Sequence, residues 1–285
     1  LLKEIAMTGQ TTAAIVKQKL TWSRYKFPES LWSFGTILAV LVFLAYSLHF
    51  LKIDVLMMLG ALGKLGGVVA ARFYPPELTY VTDPGYLASI LDTLQMSFLG
   101  GILGVFLAIP LAWFSAWNVS PHRAIFFPIG RLGVISCRAI HETIWTILFV
   151  SVLGFGMLAG VSALTMFCIG FAGKLFSDEI EAVDMGPVEA MRAAGANSFQ
   201  VFIYAVVPQV RVAFTGIAIY TWDVAFRAAT VVGFFGGGGM GWYLKRNVQQ
   251  LENLRVGAII LSIIAMVLVA EFISGWLRSA VNRAK

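Results

Sequence analysis

Residues 189–208, EAMRAAGANSFQVFIYAVVP, lie between strongly apolar stretches yet are neither long nor apolar enough to cross a bilayer. They read as two short helices with a corner between them. Pro187 suits a first helical position, and Asp184 just upstream can accept from the free N–H groups of that turn. Ala190, Ala193 and Ala194 give strong helix propensity and a smooth face. Gly195 can take the left-handed conformation that ends the first helix. Asn197 or Ser198 can cap a second helix, Phe199 to Val207, and Pro208 is expected to end it and start the next element.

The rest of the chain supplies a membrane around this corner. Of 285 residues, 59% are hydrophobic and 13% charged, and the mean hydropathy is +0.82. A soluble domain would carry about a quarter charged residues. The apolar stretches are continuous rather than alternating, which favours an all-α polytopic membrane protein over a β-barrel. About six transmembrane helices are expected: residues 31–51, 87–113, 124–153, 157–176, 210–235 and 256–277.

Residues 1–30 read as a cytoplasmic leader with an interfacial helix near Trp22 and Tyr25, and residues 52–86 as an external amphipathic or loop segment. Residues 87–280 form the core, with an inner loop at 177–208, and 281–285 a cytoplasmic tail. Pro75-Pro76, Asp83-Pro84-Gly85 and the segment 236–255 read as loops.

The net charge of +6 does not point to nucleic acid. Much of the basic excess lies at the two ends, where cytoplasmic flanks carry it, so both termini are expected inside. No cleavable signal peptide is expected, the first apolar run being read as an uncleaved helix. Cys137 and Cys168 fall in apolar stretches and read as reduced packing residues, with no metal spacing. His141-Glu142 lacks the second histidine of a metalloprotease helix, and Gly170–Lys174 lacks a nucleotide-binding loop's spacing, so no bound cofactor and no ATP site are expected. Asn118-Val-Ser120 matches a glycosylation triplet but falls on an inner loop and is set aside.

Charged groups at bilayer depth cost roughly 3 kcal/mol and need partners or a wet cavity. Arg138, His141 and Glu142 lie within one helical turn, and Arg138 can pair with Glu142 four residues on; Asp223 and Arg227 repeat the spacing. Mutual neutralisation would explain both pairs. Alternatively they line a translocation path, where Arg138 and Arg227 would favour an anion. Gly236, Gly237, Gly238, Gly239 and Gly241 form a glycine-rich turn; non-helical backbone at membrane depth survives only where protein or a wet cavity covers it.

With Glu189, Ala190, Gly195 and Pro208 in register, the first stretch resembles the cytoplasmic EAA loop of ABC-transporter permeases. Met191 replaces the third residue of that motif. Arg227–Gly241, Pro208-Gln209-Val210, Arg138–Thr143 and Lys174–Phe176 with Glu179 and Glu181 are similar to the phosphonate-type permeases. The four consecutive glycines with Met240 depart from the alternating pattern of those relatives.

The resemblance implies a type I importer permease fold (MetI-like) and a bacterial cytoplasmic membrane. It also implies a second permease copy, two ATPase subunits that bind the ATP, and a periplasmic or lipid-anchored solute-binding protein. Glu189, Ala190, Gly195 and Pro208 would then couple to the ATPase, and a small oxyanion, phosphonate, phosphite or phosphate, would be the cargo. An amino acid is the alternative solute. An ATP-independent secondary transporter is the rival class, and a membrane-embedded enzyme is disfavoured because no catalytic constellation is visible.

Overall fold

The computed structural model describes residues 29–52 and 55–283. Most of the expected leader, with its interfacial helix, and residues 284–285 of the tail lie outside the described residues. The chain divides into two compact units, Leu1–Val68 and Val69–Lys285. Helix α1 (Glu29–Phe50) belongs to the first unit, and α2 (Val55–Phe73) spans the division. The second unit holds a short 3-10 turn (Leu78–Thr82), α3 (Pro84–Ser115), α4 (Phe126–Ala139), α5 (Glu142–Leu153), α6 (Met157–Glu181) and α7 (Met185–Ala193). It continues with α8 (Ser198–Val201), α9 (Val207–Val232), α10 (Gly239–Gln249) and α11 (Asn253–Arg283). No strand occurs among the described residues.

Among the described residues four stretches are long and apolar enough to span a bilayer: Pro84–Ser115, Met157–Glu181, Ser198–Gly237 and Asn253–Val281. The pair α4 and α5 makes a fifth if counted as one broken span. The helix expected at 31–51 is present as α1, with Phe34–Phe50 as a shorter apolar stretch.

Lipid offers helices no hydrophobic reward for association, so close packing of small residues has to hold them together. At the centre of the second unit α3 lies against α6 in that way. A Cβ on Gly104 would stand 2.3 Å from Cys168 Cβ, and one on Gly100 2.7 Å from Leu164 Cβ. Thr93, Met96, Ala108, Ala112, Ala163, Leu164, Cys168 and Ala172 are all buried. Helix α9 packs on both α3 and α6, with Phe176 of α6 stacked on Phe214 of α9 at 4.2 Å. Helix α11 closes the unit against α9 and α10.

Four expectations are corrected. Residues 124–153 are not one straight span, because α4 and α5 meet at 91° across Ile140-His141. The extended backbone of His141 caps α5, its Nδ1 accepting from the Thr143 N–H (3.4 Å). Trp145 Nε1 donates to the Cys137 carbonyl at the end of α4 (3.4 Å), and Gly170 of α6 lets the Cys137–Arg138 backbone come within 2.6 Å of where its Cβ would be. Second, residues 236–255 are largely the helix α10 rather than a loop. Third, Pro84 and Gly85 form the first turn of α3 instead of a loop, Pro84 needing no N–H bond there. Fourth, the second bracket helix does not run as one α-helix to Val207: it is α-helical only to Val201, and a π-helical turn, Phe202–Val206, carries it into α9, where Pro208 stands in the first turn as expected.

Candidate functional site: the bracket and the glycine turn

The bracket is a self-capped unit. Asp184 caps α7 by accepting from the Gly186 N–H (3.0 Å), and Pro187 sits at the third helical position rather than the first, still among the residues whose N–H has no helical acceptor. At the other end Gly195 has φ +84°, its N–H donating to the Arg192 carbonyl (3.0 Å) while the Ala196 N–H reaches Met191 (3.1 Å). These two bonds are the reverse turn that a left-handed glycine allows at a helix C-terminus. No atom lies within 4 Å of a Cβ built on Gly195, so conformation rather than space selects glycine there. Asn197 then opens the next helix with a complete capping box: Asn197 Oδ1 accepts from the Gln200 N–H (2.8 Å), and the Asn197 N–H donates to Gln200 Oε1 (2.9 Å).

One face of this bracket is buried and the other is bare. Val188, Val201, Phe202, Ala205 and Val206 pack onto Ala108, Ala112, Ala116, Phe176 and Ile180, with Phe202 stacked on Trp113 at 4.9 Å. Burial of each large side chain is worth about 2 kcal/mol. Glu189, Ala190, Ala193, Ala194, Phe199 and Tyr204 point away and are exposed. The outward surface is therefore small-residue and smooth on α7, with two aromatic rings beside it. Gln209 fastens the two arms, its Oε1 accepting from the Asp184 N–H (3.0 Å) and its Nε2 donating to the carbonyls of Asp184 (3.2 Å) and Ala205 (2.8 Å). Gln209 stood beside Pro208 in the sequence without a stated role; its position just after a proline that follows a bracket was the available signal.

At the other end of α9 the glycine run is a packed joint. Gly236, Gly238 and Gly239 have positive φ, and the Gly236 carbonyl accepts from the Gly156 N–H (3.0 Å). A Cβ on Gly241 would stand 2.1 Å from the Thr230 carbonyl oxygen, and one on Gly237 2.6 Å from Val232 Cγ1. The Met240 N–H donates to Thr93 Oγ1 of α3 (2.9 Å), and Met240 itself is fully buried. Thr93 was not singled out in the sequence, and at 147 residues' distance no local signal marks it.

Of the two charge pairs, one forms. Arg227 Nη2 donates to Asp223 Oδ2 at 2.8 Å. The Asp223 side chain is 4% exposed and its Oδ1 has no partner, whereas Arg227 is 41% exposed. The carboxylate thus holds the guanidinium from behind and leaves most of its donors facing outward. The Arg138–Glu142 pair does not form, because the break at Ile140 takes the two off a common helix. Glu142 instead meets His141 Nδ1 (3.4 Å), and Arg138 is exposed at the end of α4 with no ion-pair partner among the described residues.

The model of one protein family, "binding-protein-dependent transport system inner membrane component", matches residues 85–284. The chain belongs to that family. As a family member it is a membrane permease subunit of an ABC importer, an inner-membrane component. It is 40% identical over 210 residues to the phosphite transport system permease protein PtxC of Stutzerimonas stutzeri, covering 74% of this chain and 75% of the relative. It is 31% identical over 245 residues to the putative phosphite transport system permease protein HtxC of the same organism, covering 86% of each. The phosphate-import permease protein PhnE of Mycolicibacterium smegmatis is 35% identical over 74% of this chain, which spans only 39% of that relative. Among solved structures, an inward-facing form of the MetNI methionine ABC transporter matches with a TM-score of 0.58 at 19% identity, covering 69% of this chain and 95% of the other. The type I importer permease fold expected from the sequence is thereby the observed one.

Proposed function

We propose that this permease passes a small phosphorus oxyanion, such as phosphite, phosphonate or phosphate, through a membrane path lined in part by Arg227, and that the bracket at Glu189–Pro208 receives the ATPase. The observation that carries the substrate class is the 40% identity to a phosphite permease across three-quarters of both chains. The Asp223–Arg227 geometry supports it. A guanidinium held by a buried carboxylate presents several fixed N–H donors, a set suited to the oxygens of a tetrahedral oxyanion. Arg138, His141 and Glu142 would line the same path at the break between α4 and α5, and Gly236–Gly239 with Gly241 would form the fixed outer joint beside it.

The exposed face of α7 is the natural seat for a partner. Glu189 and Ala190 lie on it, Gly195 turns the chain, and Pro208 with its π turn joins the bracket to α9 without a break. In this reading two ATPase subunits bind two permease copies, ATP sits in the ATPase alone, and a solute-binding protein delivers cargo from outside. Both termini of the chain are cytoplasmic.

The test is purification of the complex in mild detergent followed by phosphite uptake in proteoliposomes with the binding protein present. Glu189→Lys is expected to release the ATPase from a permease that remains in the membrane, and Arg227→Ala to cut uptake with the ATPase still bound. ATPase retention in the first variant, or undiminished uptake in the second, removes the corresponding assignment. Uptake without ATP would return the chain to the secondary-transporter class.

A further inference from the structure

Besides its own chain, the packing of Val188 and the Gln209 clasp, helix α7 is tied to the membrane helices by a polar connection, in which Asn118 Nδ2 also reaches Met185 Sδ (3.7 Å). This connection runs through the short inner turn after α3. Arg192, in the last turn of α7, donates from Nη2 to the main-chain oxygen of Asn118 (3.1 Å). Asn118 in turn donates from Nδ2 to the carbonyls of Ile180 (2.9 Å) and Glu181 (3.4 Å), the free carbonyls at the end of α6. Glu181 Oε1 closes the circuit. It accepts from the Trp117 N–H (3.1 Å) and from Arg131 Nη1 of α4 (3.5 Å). Arg131 also reaches the Ser115 carbonyl at the end of α3 (3.5 Å). Four elements, α3, α4, α6 and α7, therefore meet at one polar joint centred on Asn118 and Glu181.

Two features separate this joint from a static cap. Its ion pair is a third exposed on each side and 3.5 Å long, the geometry of a contact that water can compete for rather than a locked buried pair. Asn118 Oδ1, by contrast, is enclosed and accepts from no donor. An enclosed acceptor without a partner is costly, so the joint holds one hydrogen-bonding capacity that this conformation does not use.

We infer that Asn118 and Glu181 are positioning residues that carry movement of α7 to α4, the helix that ends at the broken span and at Arg138. This rests on the reading of the bracket as the ATPase seat. Pulling α7 moves Arg192 and with it the inner turn. The turn holds the end of α6 through Asn118 and Trp117, and Glu181 at that end holds α4 through Arg131, in the middle of the helix. Helix α4 is in backbone contact with α3 and α6 at Gly130 and Gly170, so a shift at Arg131 is delivered along its length to the break at Ile140. A connection of this kind sets how much transport each ATP yields, not whether ATP is hydrolysed.

The experiment uses the assembled complex in proteoliposomes with binding protein, reading phosphite imported per ATP hydrolysed. Asn118→Asp keeps the size of the side chain but replaces the donor with an acceptor facing carbonyls. Arg192→Ala removes the link from an exposed position, so folding is spared. Each is expected to lower the ratio about tenfold, the scale of a lost coupling between two sites, with the ATPase copurifying in normal amount. Arg192→Lys, which keeps a donor, should restore most of it. An unchanged ratio, or uptake and hydrolysis falling together, overturns the inference. Glu189→Lys in the same preparation separates the two claims: if it releases the ATPase while the ratio in the joint variants is normal, only the joint fails, and if it does not, the docking reading fails and takes the joint with it.

Discussion

The two ends of α9 are built on opposite principles. At the bracket the chain turns through side-chain caps: Asp184 on Gly186, Asn197 with Gln200, and Gln209 on Asp184. At the glycine turn it is held mainly by close backbone approach, with the Gly156 N–H bonded to the Gly236 carbonyl and one distant side chain, Thr93, accepting from the Met240 N–H. Gly195 has open space around it and is needed only for its φ of +84°, whereas Gly241 is needed because 2.1 Å separates its would-be Cβ from a carbonyl oxygen. The first construction leaves a bare face on a firm frame, as a docking element requires. The second leaves no room, as a fixed joint requires.

The comparison predicts unequal tolerance. Gly241→Val should abolish the folded permease, since overpacking against main chain costs more than about 3 kcal/mol and nothing flexible can yield; membrane abundance on a blot is the measurement, and normal abundance would mean the joint is looser than its geometry. Thr93→Val comes next. It strands the buried Met240 N–H at a cost of about 1–3 kcal/mol and should lower the melting temperature of the detergent-solubilised protein by several degrees. Gly195→Ala is the mildest, about 1 kcal/mol for an alanine in the left-handed region. Its melting curve should barely move. A loss comparable to that of Gly241→Val would erase the distinction between the two ends.

How far each end could be read in advance follows from the range of its interactions. Apart from the Gln209 clasp on Asp184, 25 residues away, the caps in the bracket join residues two to five apart, so Asp184, Gly195 and Asn197 could be assigned from spacing alone. The glycine run was visible as composition, but the partner that anchors it, Thr93, comes from α3 and has no local mark. The Arg138–Glu142 pair failed for a related reason. Helical spacing assumes an unbroken helix, and neither glycine nor proline announces the turn at Ile140-His141; it is held by Trp145 on Cys137 and by the close approach of α6 at Gly170. What spacing rules did not represent at this corner is the π turn at Phe202–Val206, which joins α8 to α9 ahead of the proline.

The sequence by itself determined that the chain is an all-α membrane protein, that a two-armed bracket interrupts its apolar stretches, and that Asp223 and Arg227 share a face, because hydropathy, capping and the i,i+4 rule are local physics. Only the tertiary structure decided that the third segment is broken at 91°, that the glycines are a packed joint, and that Asn118, set aside as part of a glycosylation triplet, bonds the end of α6 to α7. Those outcomes depend on which backbone comes close enough to supply a donor or to deny space to a side chain, and spacing rules do not reach the partners, whether eight residues away as in Trp145 on Cys137 or 147 as in Thr93 and Met240.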